Sequence, residues 1–165
     1  MNFNNFTIKA QEAIQKAVQL TRAGGNQVIE PEHLLKALMA EGDAVVRYVF
    51  QKLDINPANV ERQLETALQA LPRVSGGEPY LGSGSGKVLE KANDIASKKG
   101  DQYVTIEAIL MALFEVKSRV STILKDAGMT HDDLAAAIDE LRKGKNATSQ
   151  SAEEQYNALS KYAVN

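Results

Sequence analysis

The sequence holds no cysteine and no tryptophan, two histidines, and aromatics at only 5% of its 165 residues. Without cysteine there is no disulfide scaffold, no thiolate zinc site and no cysteine nucleophile. His33 and His131 alone leave little for a metal centre or an imidazole general base. With few aromatics, the core must come from Leu, Ile, Val and Ala, a palette that favours closely packed helices. No charge of one sign dominates either: 19 Lys and Arg face 21 Asp and Glu, a formal net charge of -2. The basic excess of a nucleic-acid binder is missing. No apolar run approaches the roughly 18–20 residues that cross a bilayer. Met1-Asn2-Phe3-Asn4-Asn5-Phe6 lacks the charged and apolar regions of a signal peptide. Together these absences predict a soluble, cytoplasmic, mostly helical chain without nucleic-acid or membrane partners and without catalytic equipment.

What the sequence does have is an internal repeat. Shifted by 75 residues, Ala13-Ile14-Gln15-Lys16-Ala17 falls on Val88-Leu89-Glu90-Lys91-Ala92. Gly25 then meets Gly100, Gln27 meets Gln102, Glu32 meets Glu107, and Leu35, Ala37 and Leu38 meet Leu110, Ala112 and Leu113. After a one-residue deletion, Ile55-Asn56 meets Met129-Thr130, Val60 meets Leu134 and Leu64 meets Ile138. Apolar class is kept almost throughout, so the chain reads as two copies of one helical unit.

Each copy reads as four helices, giving an all-α fold of two pseudo-repeats packed as one globular domain. Thr7 caps a helix with the apolar stripe Ala10, Ala13, Ile14, Ala17 and Val18, ending at Gly24-Gly25. Glu30-Pro31-Glu32 opens a second, because proline suits a first helical position and acids favour the positive end of the helix dipole. Val45, Val46, Val49, Phe50 and Leu53 mark a third; Asn56-Pro57 starts a fourth that Pro72 stops. In the second copy Thr105 caps Ile106 to Phe114, and Thr130 opens the last helix. Gly25 and Gly100 suit left-handed positions just past helix ends.

On this reading residues 1–144 form the double repeat, with copies at about 6–71 and about 82–143. The glycine-rich joint 73–86 reads as a mobile surface loop. Residues 145–165 are polar and read as a linker, within which Ala152, Tyr156, Leu159 and Tyr162 could form a short amphipathic helix.

The motifs carry little chemistry. Gly82-Ser83-Gly84-Ser85-Gly86-Lys87 resembles a phosphate loop but fails the spacing: the first glycine would fall at Leu81, and Val88 stands where Ser or Thr must hold magnesium. His33 reads as a helix-surface or half-buried residue and His131 as solvated. Arg142, Lys143 and Lys145 read as a basic cluster at a helix C-terminus. A seam between two helical units offers a groove for extended or helical peptides.

The repeated pattern resembles a known family. Phe6-Thr7-Ile8-Lys9-Ala10-Gln11-Glu12-Ala13 and Val28 through Leu38 resemble the first Clp N-terminal repeat, and Gly100 through Leu113 the second. The ending from Thr148 to Tyr162 is similar to the segment that leads into the first ATPase module of the ClpB disaggregases. The resemblance implies a substrate-binding domain preceding an AAA+ hexamer, which threads unfolded or aggregated polypeptide in cooperation with the DnaK system. It implies no cofactor in this segment, with ATP and magnesium used by modules outside it, and a monomeric isolated domain. By motif it also implies substrate-binding roles for Thr7, Asp101 and Glu107. Asp101 and Glu107 would then select basic residues flanking the captured segment. Two departures stand out: Ala108-Ile109-Leu110 replaces a common His-Leu-Leu, and the glycines before Lys87 suggest a later helix start. A docking domain for a folded adaptor of a protease-coupled unfoldase is the alternative.

Overall fold

A computed structural model describes residues 2–74 and 76–156, with no side chain for Asp43. Leu159 and Tyr162 of the expected tail helix lie outside the described residues. The chain is mostly helical, in the order α1 (Ile8–Ala23), β1 (Val28–Ile29), α2 (Pro31–Glu41), α3 (Asp43–Lys52), α4 (Pro57–Gln69), β2 (Tyr80–Leu81), α5 (Ser83–Lys99), α6 (Ile106–Glu115), α7 (Arg119–Asp126) and α8 (His131–Arg142). Each of α5 to α8 begins 74 to 76 residues after its counterpart among α1 to α4. The repeat seen in the sequence is thus a repeat in space.

Local chemistry sets the helix ends. The Thr7 hydroxyl accepts from the Ala10 amide, Thr105 from Ala108 and Thr130 from Asp133, each satisfying a donor at a helix start. Ser118 caps α7 in the same way, with Ser121 returning a bond to the Ser118 amide. Gly25 and Gly100 sit at φ 72° and 78°, the left-handed region expected of them. At the centre lies α6, buried on every side from Ile106 to Phe114 and packed on α1, α2, α3, α5, α7 and α8. A helix that is apolar all round belongs inside.

The two copies are stitched reciprocally. The residues before α5 pair in parallel with those before α2, Val28 with Tyr80 and Ile29 with Leu81. The same exchange joins Phe6, ahead of α1, to Val104, ahead of α6. The joint is therefore not a free loop over its whole length. Tyr80 and Leu81 form a strand, and α5 starts at Ser83, earlier than the glycines suggest. The reason is close approach: a Cβ on Gly82 would meet Val28 Cγ1 at 2.5 Å, so only glycine lets this backbone reach β1. The amide of Gly82 bonds to the Ile29 carbonyl and that of Gly86 to the Gly82 carbonyl. The apparent phosphate loop is the first turn of a helix.

Residues 145–156 also pack on the double repeat. Ala147, Ala152, Glu153 and Tyr156 are buried, and residues 152–156 are helical. The polar composition of this segment conceals how few of its residues the packing needs. Its placement has a counterpart in the first copy, where the Asn26 amide donates to the Pro72 carbonyl just after α4. In the second copy Asp101, in register with Asn26, accepts from the Ala147 amide just after α8.

Candidate functional site

Thr7, Asp101 and Glu107 come together at the start of α6, but as interior residues. Thr7 and Glu107 are 0% and 1% exposed, and the Asp101 side chain is 0% exposed. In this arrangement each side chain is spent on an internal partner. Gly100 turns the chain out of α5, which aims Asp101 inward. Its Oδ2 accepts from Arg142 Nη1 at 2.7 Å and its Oδ1 from the Ala147 amide at 2.9 Å. Glu107 Oε2 accepts from Arg142 Nε at 2.8 Å, and Arg142 Nη2 donates to the Thr105 hydroxyl at 3.1 Å. The Thr7 hydroxyl donates to Glu153 Oε2 at 2.6 Å while capping α1. That same carboxylate oxygen accepts the Ile106 amide, at 2.9 Å, in the first turn of α6.

Arg142 and Glu153 are the residues that sequence reasoning missed. Arg142 reads as part of a basic helix end, yet its guanidinium is 6% exposed and serves three side chains while lying 5.7 Å from the Tyr156 ring centroid. Only the planar fork of arginine reaches three partners in this way. The available signal was that two acids expected near one helix start need a cation if buried. Nothing local in the sequence marks Glu153.

This cluster holds more negative than positive charge. Three buried side-chain atoms among the described residues have no hydrogen-bond partner: Glu107 Oε1, Glu153 Oε1 and Tyr156 Oη. All three lie here. Burial first, and the Glu107 charge second, push the Glu153 carboxyl up to about 7 against the opposing bonds from Thr7 and Ile106. Burial and Glu107 likewise raise the Tyr156 phenol. An unfolded glutamate ionises near 4.5. Between 4.5 and about 7 the unfolded chain therefore releases a proton that the folded one keeps, and stability falls as pH rises through that window. Gln at this position keeps the acceptor and removes the titration. Glu153→Gln is expected to flatten this pH dependence in thermal melts and to exceed the parent in stability at pH 8. An unchanged slope would acquit this carboxyl.

His33 is buried, deeper than the helix-surface or half-buried position that the sequence suggests. Its Nδ1 accepts from the Glu30 amide at 3.0 Å, which leaves the proton on Nε2, 3.1 Å from Asn26 Oδ1. Burial, helped by Lys36, lowers its pKa to about 4. Its contribution runs opposite to that of Glu153: stability is lost as pH falls from 6.5 toward about 4, where the unfolded chain binds the proton first. His131 is exposed, beside Glu115 and Asp132. Among the described residues no group of three or more His, Cys, Asp or Glu is placed to hold a metal ion, and no helix is long and apolar enough to cross a membrane.

Residues 5–127 match the Clp repeat (R) N-terminal domain. The chain belongs to the Clp N-terminal repeat family. It aligns with "Chaperone protein ClpB" of Bacteroides thetaiotaomicron at 53% identity over 165 residues, 100% of this chain and 19% of that one. With ClpB of Brucella suis the identity is 39% over 166 residues, 99% of this chain and 19% of the relative. The chain thus spans about a fifth of the length of these chaperones. The stretch it shares with them contains the Clp repeat domain at residues 5–127, which itself carries no ATPase module. The Hsp104 N-terminal domain from Candida albicans superposes with a TM-score of 0.80 at 28% identity, over 91% of this chain and 99% of that one. The N-terminal domain of ClpV1 from E. coli, at 20% identity and a TM-score of 0.65 over 95% and 86% of the two chains, shares the fold. Arg142 and Glu153 lie beyond the Clp repeat match but inside the stretch aligned with ClpB.

Proposed function

We propose that this Clp N domain weakly captures unfolded or aggregated polypeptide for a ClpB-type AAA+ hexamer, in the cytoplasm and in cooperation with the DnaK system. The observation that carries the reading is the 53% identity to a ClpB chaperone along the whole chain. ATP and magnesium would serve modules outside this stretch. The surface suits a weak, unselective grip. A 290 Å³ cleft between α2 and α4 is lined by Met39, Ala40 and Leu64 with Lys36, Glu61 and Glu65 at its rim. Ile8, Val74 and Tyr80 are exposed apolar side chains elsewhere. In this reading Thr7 and Asp101 contribute at the seat of the segment they bond to, and Glu107 through Arg142.

Titration of the isotopically labelled chain with reduced, carboxymethylated lysozyme, a permanently unfolded protein, tests the reading. Saturable amide shifts with a Kd of about ten micromolar or weaker are expected, because ordering a flexible chain offsets most of the contact energy. No shifts at any concentration would refute it. Stoichiometric binding of one folded protein without response to the unfolded one would establish adaptor docking instead.

A further inference from the structure

We propose that the seat of residues 147–153 is itself a polypeptide-binding groove, held shut by the chain's own segment, and that uncharged substrate segments bind by displacing it. The proposal rests on the polypeptide-capture reading above and names the site and its control.

The occupant is recognised the way an arbitrary peptide would be, through main-chain atoms. The Gln102 and Tyr103 amides both donate to the Ala147 carbonyl, at 2.9 and 3.2 Å. Asp101 Oδ1 accepts from the Ala147 amide, and the Ile8 amide donates to the Gln150 carbonyl at 2.8 Å. Such bonds give affinity with little demand on sequence. Side-chain selection is limited to small residues where Ala147 and Ala152 are buried, and to the site of Glu153.

Ala147 and Ala152 are well buried, but the fit is poor at the polar ends of Glu153 and Tyr156, and that marks the occupant as replaceable. Glu153 is buried beside Glu107, and each has a carboxylate oxygen without a partner, as does the Tyr156 hydroxyl. A buried polar atom left unpaired costs stability that solvent would return. When the segment leaves, the Ile106 amide and the Thr7 hydroxyl lose Glu153 as acceptor. A substrate carbonyl can take both donors without burying an acid. Thr7 and Asp101 then touch substrate directly, which reconciles the roles implied for them with their burial in the closed state.

The absence of native cysteine permits a clean test. Ile8 and Gln150 are both exposed and joined by a main-chain bond, close enough for a disulfide. In the 165-residue chain carrying Ile8→Cys and Gln150→Cys, oxidation should weaken binding of carboxymethylated lysozyme at least about tenfold, and reductant should restore it. Tyr156→Ala, which removes a buried anchor of the segment and leaves the main-chain partners Ile8, Gln102 and Tyr103 in place, should tighten binding severalfold. If the oxidised pair binds like the reduced one, or Tyr156→Ala does not tighten binding, the groove is not the site, while polypeptide capture stands. If neither the parent chain nor any variant binds, capture fails and this proposal with it.

Discussion

Arg142→Ala is expected to destabilise the domain by about 3–5 kcal/mol, because removing one partner of a buried ionic cluster strands the others. Asp101 and Glu107 would remain inside without their cation, next to a third acid, Glu153. For a chain of this size the loss corresponds to a melting temperature lower by about 6–20 °C. Thermal or urea unfolding followed by circular dichroism measures it. Arg142→Lys should recover only part of the loss, because an ammonium keeps the charge but cannot serve Asp101, Glu107 and Thr105 in one plane. If alanine cost under 1 kcal/mol, within the range of an exposed ion pair, the cluster would not be the clamp described here.

The second large effect concerns the stitch between the copies. Phe6 is fully buried, its ring edge-on to Phe3 at 5.2 Å, and its backbone pairs with Val104. Phe6→Ala should cost about 3–5 kcal/mol through lost transfer energy and the cavity left behind. Leu81 holds the equivalent place in the other stitch but is only half-buried. Leu81→Ala should therefore cost clearly less than Phe6→Ala. Equal losses would mean that the two stitches bear equal loads, contrary to their burial. The Phe6 change should also speed exchange of the Thr7 amide, which bonds to the Val104 carbonyl.

The helices and their repetition were legible because they depend on short-range chemistry. Capping threonines, Pro31 and the 3.6-residue stripes act within a few residues of where they stand. What the sequence concealed depends on distant partners. Gly82 reads as flexible until Val28 is set against it, 54 positions earlier. Arg142 reads as a solvated helix end until Asp101 and Glu107, 41 and 35 positions away, claim its donors. Thr7 and Glu153 meet across 146 positions. The resemblance named Thr7, Asp101 and Glu107 as a set, and the structure supplies what joins them: Thr7 and Asp101 bond to residues 147–153 at the entry to α6, and Asp101 and Glu107 share Arg142. The register of Asn26 with Asp101, beside the apolar spacing of Ala152 and Tyr156, was a clue that the tail would dock, since each receives the chain just after the fourth helix of its copy.

Amide exchange of the unaltered chain tests this clamp most directly. The amides of Ala147 and Ile8, bonded to Asp101 Oδ1 and the Gln150 carbonyl, should exchange slower than exposed amides by at least about tenfold at neutral pH. Their protection should collapse together in Asp101→Ala while the α6 amides from Ile109 onward stay slow. Free exchange at Ala147 and Ile8 in the unaltered chain would show that Thr7 and Asp101 do not hold the segment in place.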